Sequence, residues 1–179
     1  MDRRLFLQFP VVIAGLAAGV QNNVSDRPNK GFIVAAGKDR FNEEIHFLSN
    51  RMLCKVSAKD TDGDVCIFHN IIASGPYLHY HYSQDEWFFV LKGKFQFKVG
   101  EETFMAQEGD SVFGPRKIPH AFANIGEAGH LLAVYQPAGS IEEFFKEGSK
   151  MKSPTPMELK EMSRRHGIEI VGPPLKVTG

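Results

Sequence analysis

From residue 31 onward, short apolar runs alternate with clusters of Gly, Asp, Asn and Pro. Short runs broken at regular intervals by turn residues predict a sandwich or barrel of many strands. Strands are expected near 31–36, 44–48, 52–58, 64–73, 86–91, 94–99, 102–107, 110–114, 119–124 and 130–136. Asp60-Thr61-Asp62-Gly63 predicts a tight turn, because Asp and Gly tolerate positive φ. Gly-containing turns at Lys92-Gly93, Gly100-Glu101, Glu108-Gly109-Asp110 and 126–129 divide the later runs. Helical spacing appears only afterwards. Ile141, Phe144 and Phe145 share one face behind Ser140 as a cap, and a second helix is expected from Pro156 to Gly167, with Arg164, Arg165 and His166 at its negative end. Both helices are expected to pack on the outside of the barrel. The fold class is therefore all-β, with two short C-terminal helices.

Strand parity turns this pattern into chemistry. In His79-Tyr80-His81 both imidazoles fall on one face, since strand positions i and i+2 point the same way. Glu86 follows after a polar connection long enough to turn the chain, and it can open the next strand facing the pair. His120 comes from a separate strand just after Pro119. Three imidazole nitrogens and one carboxylate suit one divalent transition metal, and Fe, Mn, Ni, Co, Cu and Zn all remain open. A single histidine on an apolar strand is more often a hydrogen-bonded core residue, which is the reading for His46, His69, His130 and His166. Four ligand types in register argue differently.

The same parity sends Phe88 and Val90 inward with Glu86, and Phe122 and Asn124 inward with His120. Phe68, Asn70, Tyr77, Phe95, Phe97 and Phe113 are further candidates for the wall of a substrate pocket. Simple core filling is the competing reading for most of these aromatics. Gln96 is expected to face outward. Trp87, Phe89 and Leu91 then form an outward apolar row that calls for a cover, and a second copy of the chain is the preferred one.

Composition narrows the field. Over 179 residues, 21 Lys plus Arg balance 21 Asp plus Glu, so no net field draws in nucleic acid or an anionic membrane surface. The two cysteines, Cys54 and Cys66, supply neither a disulfide framework nor a paired-cysteine zinc cluster. They are expected to be small buried hydrophobes. At the N-terminus, Arg3-Arg4-Leu5-Phe6-Leu7 before the apolar run from Phe9 to Val20 resembles a twin-arginine export signal. Residues 1–30 are thus expected to be an export signal and linker to the periplasm, with a cytoplasmic protein bearing an apolar arm as the alternative. Residues 31–179 form the expected domain.

Gly75, His79, His81, Glu86 and Gly93 resemble the first motif of the cupin superfamily, and Gly109, Pro115, His120 and Asn124 the second. Fifteen residues separate Gly93 from Gly109, the short linker of microbial cupins. Two positions depart from the pattern: only three residues separate Gly75 from His79, and Lys117 stands where the second motif has glycine. The resemblance is to single-domain bacterial cupins of the quercetin-dioxygenase-like kind. It implies a double-stranded β-helix (jelly roll), a metal held by His79, His81, Glu86 and His120, a homodimer, and dioxygenase action on a flavonol-like or enolic oxygen-chelating substrate; Glu86, the candidate catalytic residue, either stays on the metal or swings away to take the substrate's proton. A sugar isomerase or epimerase and a non-catalytic metal- or ligand-binding cupin are the alternatives. Fold and metal site recur across many chemistries, so the reaction rests on the site itself.

Overall fold

The computed structural model describes residues 27–177. The segment read as an export signal lies outside the described residues apart from positions 27–30, and no helix among them is long and apolar enough to cross a membrane. Among the described residues, nine strands form one strongly curled sheet that closes on itself as a jelly roll: β1 (Ile45–Phe47), β2 (Asn50–Val56), β3 (Cys66–Ile72), β4 (Tyr77–His81), β5 (Asp85–Val99), β6 (Glu102–Gln107), β7 (Ser111–Gly114), β8 (His120–Gln136) and β9 (Ile168–Pro174). Helices α1 (Ile141–Gly148) and α2 (Pro156–Arg165) lie between β8 and β9.

β8 organises the sheet. One half pairs with β3 in unbroken register from Cys66↔Tyr135 to Ile72↔Gly129. The whole strand also runs antiparallel to β5, from Asp85↔Gln136 to Val99↔His120. The runs expected as separate strands at 86–91 and 94–99, and at 119–124 and 130–136, are therefore continuous. Gly93 and Gly129 bend them rather than end them. Gly93 has φ +90, and a Cβ there would lie 3.3 Å from the Gly129 Cα, so the two strands cross closely where their register shifts.

Other expectations need correction. Residues 31–35 form no strand: Ile33 is 91% exposed, and Phe32 lies beneath the Arg40 guanidinium at 3.9 Å instead of joining the sheet. The turn at 60–63 is preceded by a 3-10 helix, Ala58–Thr61, closed by a capping box between Ser57 and Asp60. β9 was not legible as a strand, yet it pairs with β4 from Tyr77↔Pro174 to His81↔Ile168. Ser140 makes no cap bond, because its hydroxyl meets His166 instead. Gln96 is on the face opposite Phe95 and Phe97, as parity requires, yet it is buried there between Met105 on β6 and Ala123 on β8.

The helices do not sit outside the barrel. Ile141, Phe144 and Phe145 of α1 and Leu159 and Met162 of α2 join the core, with Phe145 edge-on to Phe68 at 4.9 Å. They roof the barrel's open end. Thr155 and Glu158 close a full capping box ahead of Pro156, so α2 begins where its sequence dictates.

Candidate metal centre

β4 carries His79 and His81 on one face by its period of two, and its pairing with β9 and β8 holds it in place, with His79 directly opposite His120. Glu86 sits near the start of β5, between Gly114 on β7 and Tyr135 on β8. His120 opens β8. The loop before it is fastened on both sides: the Lys117 amide donates to the His81 carbonyl (2.8 Å), and the Arg116 guanidinium grips the Asp85 carboxylate through Nε (3.0 Å) and Nη2 (2.5 Å). Lys117 itself is exposed and adopts φ +65. The left-handed conformation explains glycine at this place in the motif, and the lysine side chain points to solvent.

One ligand atom from each of His79, His81, Glu86 and His120 lies within 4.8 Å of all the others. Glu86 Oε2 is 3.2 Å from His81 Nε2 and 3.1 Å from His120 Nε2. The other nitrogen of each ring is already committed. His79 Nδ1 donates to the Tyr77 carbonyl (2.7 Å) and His120 Nδ1 to the Ile118 carbonyl (3.0 Å). His81 Nδ1 donates to Gln84 Oε1 (3.0 Å), an orientation fixed because Gln84 Nε2 donates to the Pro137 and Ala138 carbonyls. A carbonyl only accepts, so all three rings carry hydrogen on Nδ1, and their Nε2 lone pairs face inward.

That arrangement decides whether a cation fits. With neutral rings, two Nε2 lone pairs face a carboxylate oxygen at just over 3 Å, which repels unless a proton or a metal stands between them. Three preset Nε2 donors and one carboxylate match the ligand preferences of a mid-row divalent metal. The electrostatics agree. Burial, reinforced by the neighbouring His120 and His81, pushes His79 down to about 3, so it stays neutral and available. Burial raises the Glu86 carboxyl, but without a metal a proton held on Nε2 of His120 or His81 donates to it across these short contacts and outweighs burial, keeping the group low. For His120 burial likewise opposes charge, and Glu86 overcomes it, leaving its pKa raised.

Behind the carboxylate stands Tyr135, buried, paired across the sheet with Glu86 and close to Asn70. Burial, then the Glu86 charge, drives its phenol pKa well up, so it remains a donor. Asn70 Oδ1 is buried without a hydrogen-bond partner. A cavity of about 100 Å³ adjoins these groups. Among the residues expected in its wall, Asn70, Tyr77 and Phe122 line it. Phe68, Phe88, Val90, Phe95 and Phe97 pack as solid core beside it, with the Phe88 ring 6.2 Å from that of His120. Asn124 lies outside the cavity, its Nδ2 donating to the Gly126 and Glu127 carbonyls. Phe113 faces outward, 55% exposed, opposite Trp87, because parity on β7 places Val112 and Gly114 inside. Gln84, Tyr135 and the α1 face were not anticipated. Gln84 could have been suspected as a polar residue three positions beyond a ligand histidine; Tyr135 gave no local signal, since only the β5–β8 register sets it opposite Glu86.

The remaining polar groups have other roles. His69 and His130 contact each other on the outer face, 3.1 Å apart. Cys54 and Cys66 are free and buried; the Cys66 thiol, raised by its contact with Cys54, by burial and by Glu142, lies 3.5 Å from the Glu142 carboxylate.

Residues 73–135 match the family model of the cupin domain. Within the jelly roll, residues 73–135, which include all four ligand residues, are therefore a cupin domain. The chain is 34% identical over 55 residues to an uncharacterized protein of Methanocaldococcus jannaschii, covering 31% of this chain and 44% of that one. It is 38% identical over 60 residues to one of Aquifex aeolicus, covering 34% and 50%. The chain thus spans about half the length of the curated relatives it matches. Among solved structures it is similar to KdgF from a Halomonas species (TM-score 0.44, 16% identity, 49% of this chain and 78% of that one). It is also similar to a predicted oxalate decarboxylase from Thermotoga maritima (TM-score 0.47, 20% identity, 49% and 80%). Likeness at this level says nothing of substrate.

Proposed function

We propose that this cupin is a metal-dependent dioxygenase acting on a compact enolic molecule that chelates through neighbouring oxygens. The observation that carries this is the presetting of three Nε2 lone pairs and the Glu86 carboxylate on one point beside a partly open, mainly apolar cavity. A divalent metal bound there supplies Lewis acidity and a template for oxygen and substrate. The chain's own residues do the rest. Glu86, the carboxylate of the ligand set, is the group placed to accept the proton of the enol hydroxyl. Tyr135 orients the carboxylate from behind through its phenol, and the unpartnered Asn70 Oδ1 offers an acceptor to a substrate hydroxyl. The apolar faces of α1 and α2 cover one side of the cavity.

Size supports the enolic branch over the flavonol one. A cavity of roughly 150 Å³ takes a single benzene ring, and this one measures about 100 Å³. A three-ring substrate would have to displace the roof. The test is aerobic incubation of the Fe, Mn, Ni and Co forms with small enols such as acetylacetone while oxygen is recorded. Oxygen uptake that depends on metal and on Glu86 supports the proposal; tight binding with no uptake for any metal would favour a non-catalytic binding protein.

For the assembly, a second copy of the chain is proposed to cover the outer face. Trp87 pairs with Phe113 and Val134, and Phe89 with Leu132, so the apolar row continues across three strands. A chain without net charge opposes self-association little.

A further inference from the structure

The cavity has two chemically different ends. His79, His81 and Glu86 stand at one, while α1 presents Ile141, Phe144 and Phe145 at the other. Tyr135 lies between them, its ring centroid 5.9 Å from that of His81 and 6.3 Å from that of Phe145. The far end is held firmly. Phe145 packs on Phe68 and Phe144, and Phe144 packs edge-on to Phe47 at 5.3 Å and to His166 at 5.9 Å. A wall so packed does not yield a methylene's width without cost.

Among the described residues, no charged side chain lines that end. Ser163 also lines it, but its hydroxyl already donates to the Leu159 carbonyl at 2.7 Å. A ligand with a second charge at its far end would lose its hydration without compensation. An apolar one would gain about fourfold in affinity for each methylene buried. The gain has a limit. Scaled against the roughly 150 Å³ that holds benzene, about 100 Å³ accommodates about four non-hydrogen atoms, or slightly more where the mouth opens.

We infer that α1 sets an upper limit on ligand length: the occupant is a short amphiphile, its paired oxygens at the histidine end and its apolar body ending against Phe144 and Phe145. This rests on the metal reading of the histidine end. It goes further in naming α1, a part of the chain outside both histidine motifs, as the element that determines specificity.

The experiment uses the full chain loaded with cobalt(II), whose visible spectrum reports ligands entering its coordination sphere, and a series of straight-chain hydroxamates. The chelating head stays constant from aceto- to octanohydroxamate while the tail grows. Affinity should be highest for acetohydroxamate, whose five non-hydrogen atoms slightly exceed that number, and fall at least tenfold by butyrohydroxamate, which has seven. Phe144→Leu should move that fall to longer chains. Ile141→Phe, which narrows the same end, should move it to shorter ones and covers the case in which the first variant does not fold. Affinity that ignores tail length, or keeps rising through octanohydroxamate, overturns the limit while leaving the metal site intact. Failure of every hydroxamate to perturb the cobalt spectrum overturns both.

Discussion

His81 donates from Nδ1 to Gln84 Oε1 at 3.0 Å, and Gln84 is in turn locked by two backbone carbonyls just beyond the end of β8. The ligand ring is thus aimed by a residue only three positions further along the chain. The connection between β4 and β5 therefore does more than reverse direction, since it sets which nitrogen of His81 faces Glu86.

Gln84→Leu should accordingly weaken metal binding by about 10–100-fold, the usual consequence of removing such a partner, with the fold retained. Competition against a chromogenic chelator measures it. Gln84→Glu keeps the acceptor but turns an oxygen toward the Pro137 and Ala138 carbonyls, so it should not restore the affinity.

Lys117 occupies a left-handed backbone conformation, φ +65, on an exposed loop whose amide holds the His81 carbonyl. Glycine would relieve the strain and keep that bond. Lys117→Gly is expected to stabilise the protein by about 0.5–1 kcal/mol, read as a higher midpoint in urea with unchanged slope.

Glu169 is held down to about 2 by its hydrogen bonds from Arg164 and Tyr82. A depressed carboxyl contributes stability that is complete above its unfolded value, near 4.5, and disappears as pH falls through the folded one. Part of the acid sensitivity between pH 4.5 and about 2 should therefore belong to this residue. In Glu169→Gln, denaturation midpoints measured across that interval should vary less with pH than in the parent.

Trp87 and Phe113 face each other across β5 and β7 on the outer side, 36% and 55% exposed. If a second copy covers them, the double variant Trp87→Lys, Phe113→Lys should sediment as a monomer and the parent as a dimer. Identical sedimentation would remove this face from the account.

Much of the site was legible because it depends on local periodicity. Two histidines at i and i+2, a carboxylate after a turn and a fourth ligand after Pro119 define a face before any fold is known. The inward direction of Phe88 and Val90 followed from Glu86 in the same way. Phe113 was misassigned because its run was judged by residue type rather than by parity with its neighbours on β7. What remained hidden depends on long-range register. Tyr135 meets Glu86 only through the pairing of β5 with β8, and the helices became a roof rather than an outer layer because Ile141, Phe144 and Phe145 find the barrel's open end. Gly75 is similar: a Cβ there would fall 1.8 Å from the Phe122 carbonyl oxygen, a close approach that no local pattern announces.

The central claim is that three histidines and Glu86 share one cation, and metal content tests it most directly. The full chain, stripped with chelator and reloaded with cobalt(II), should retain close to one equivalent per chain after desalting, while His79→Ala and His120→Ala, folded by circular dichroism, should retain almost none. Equal metal in the parent and both variants, or none in the parent, would contradict the account.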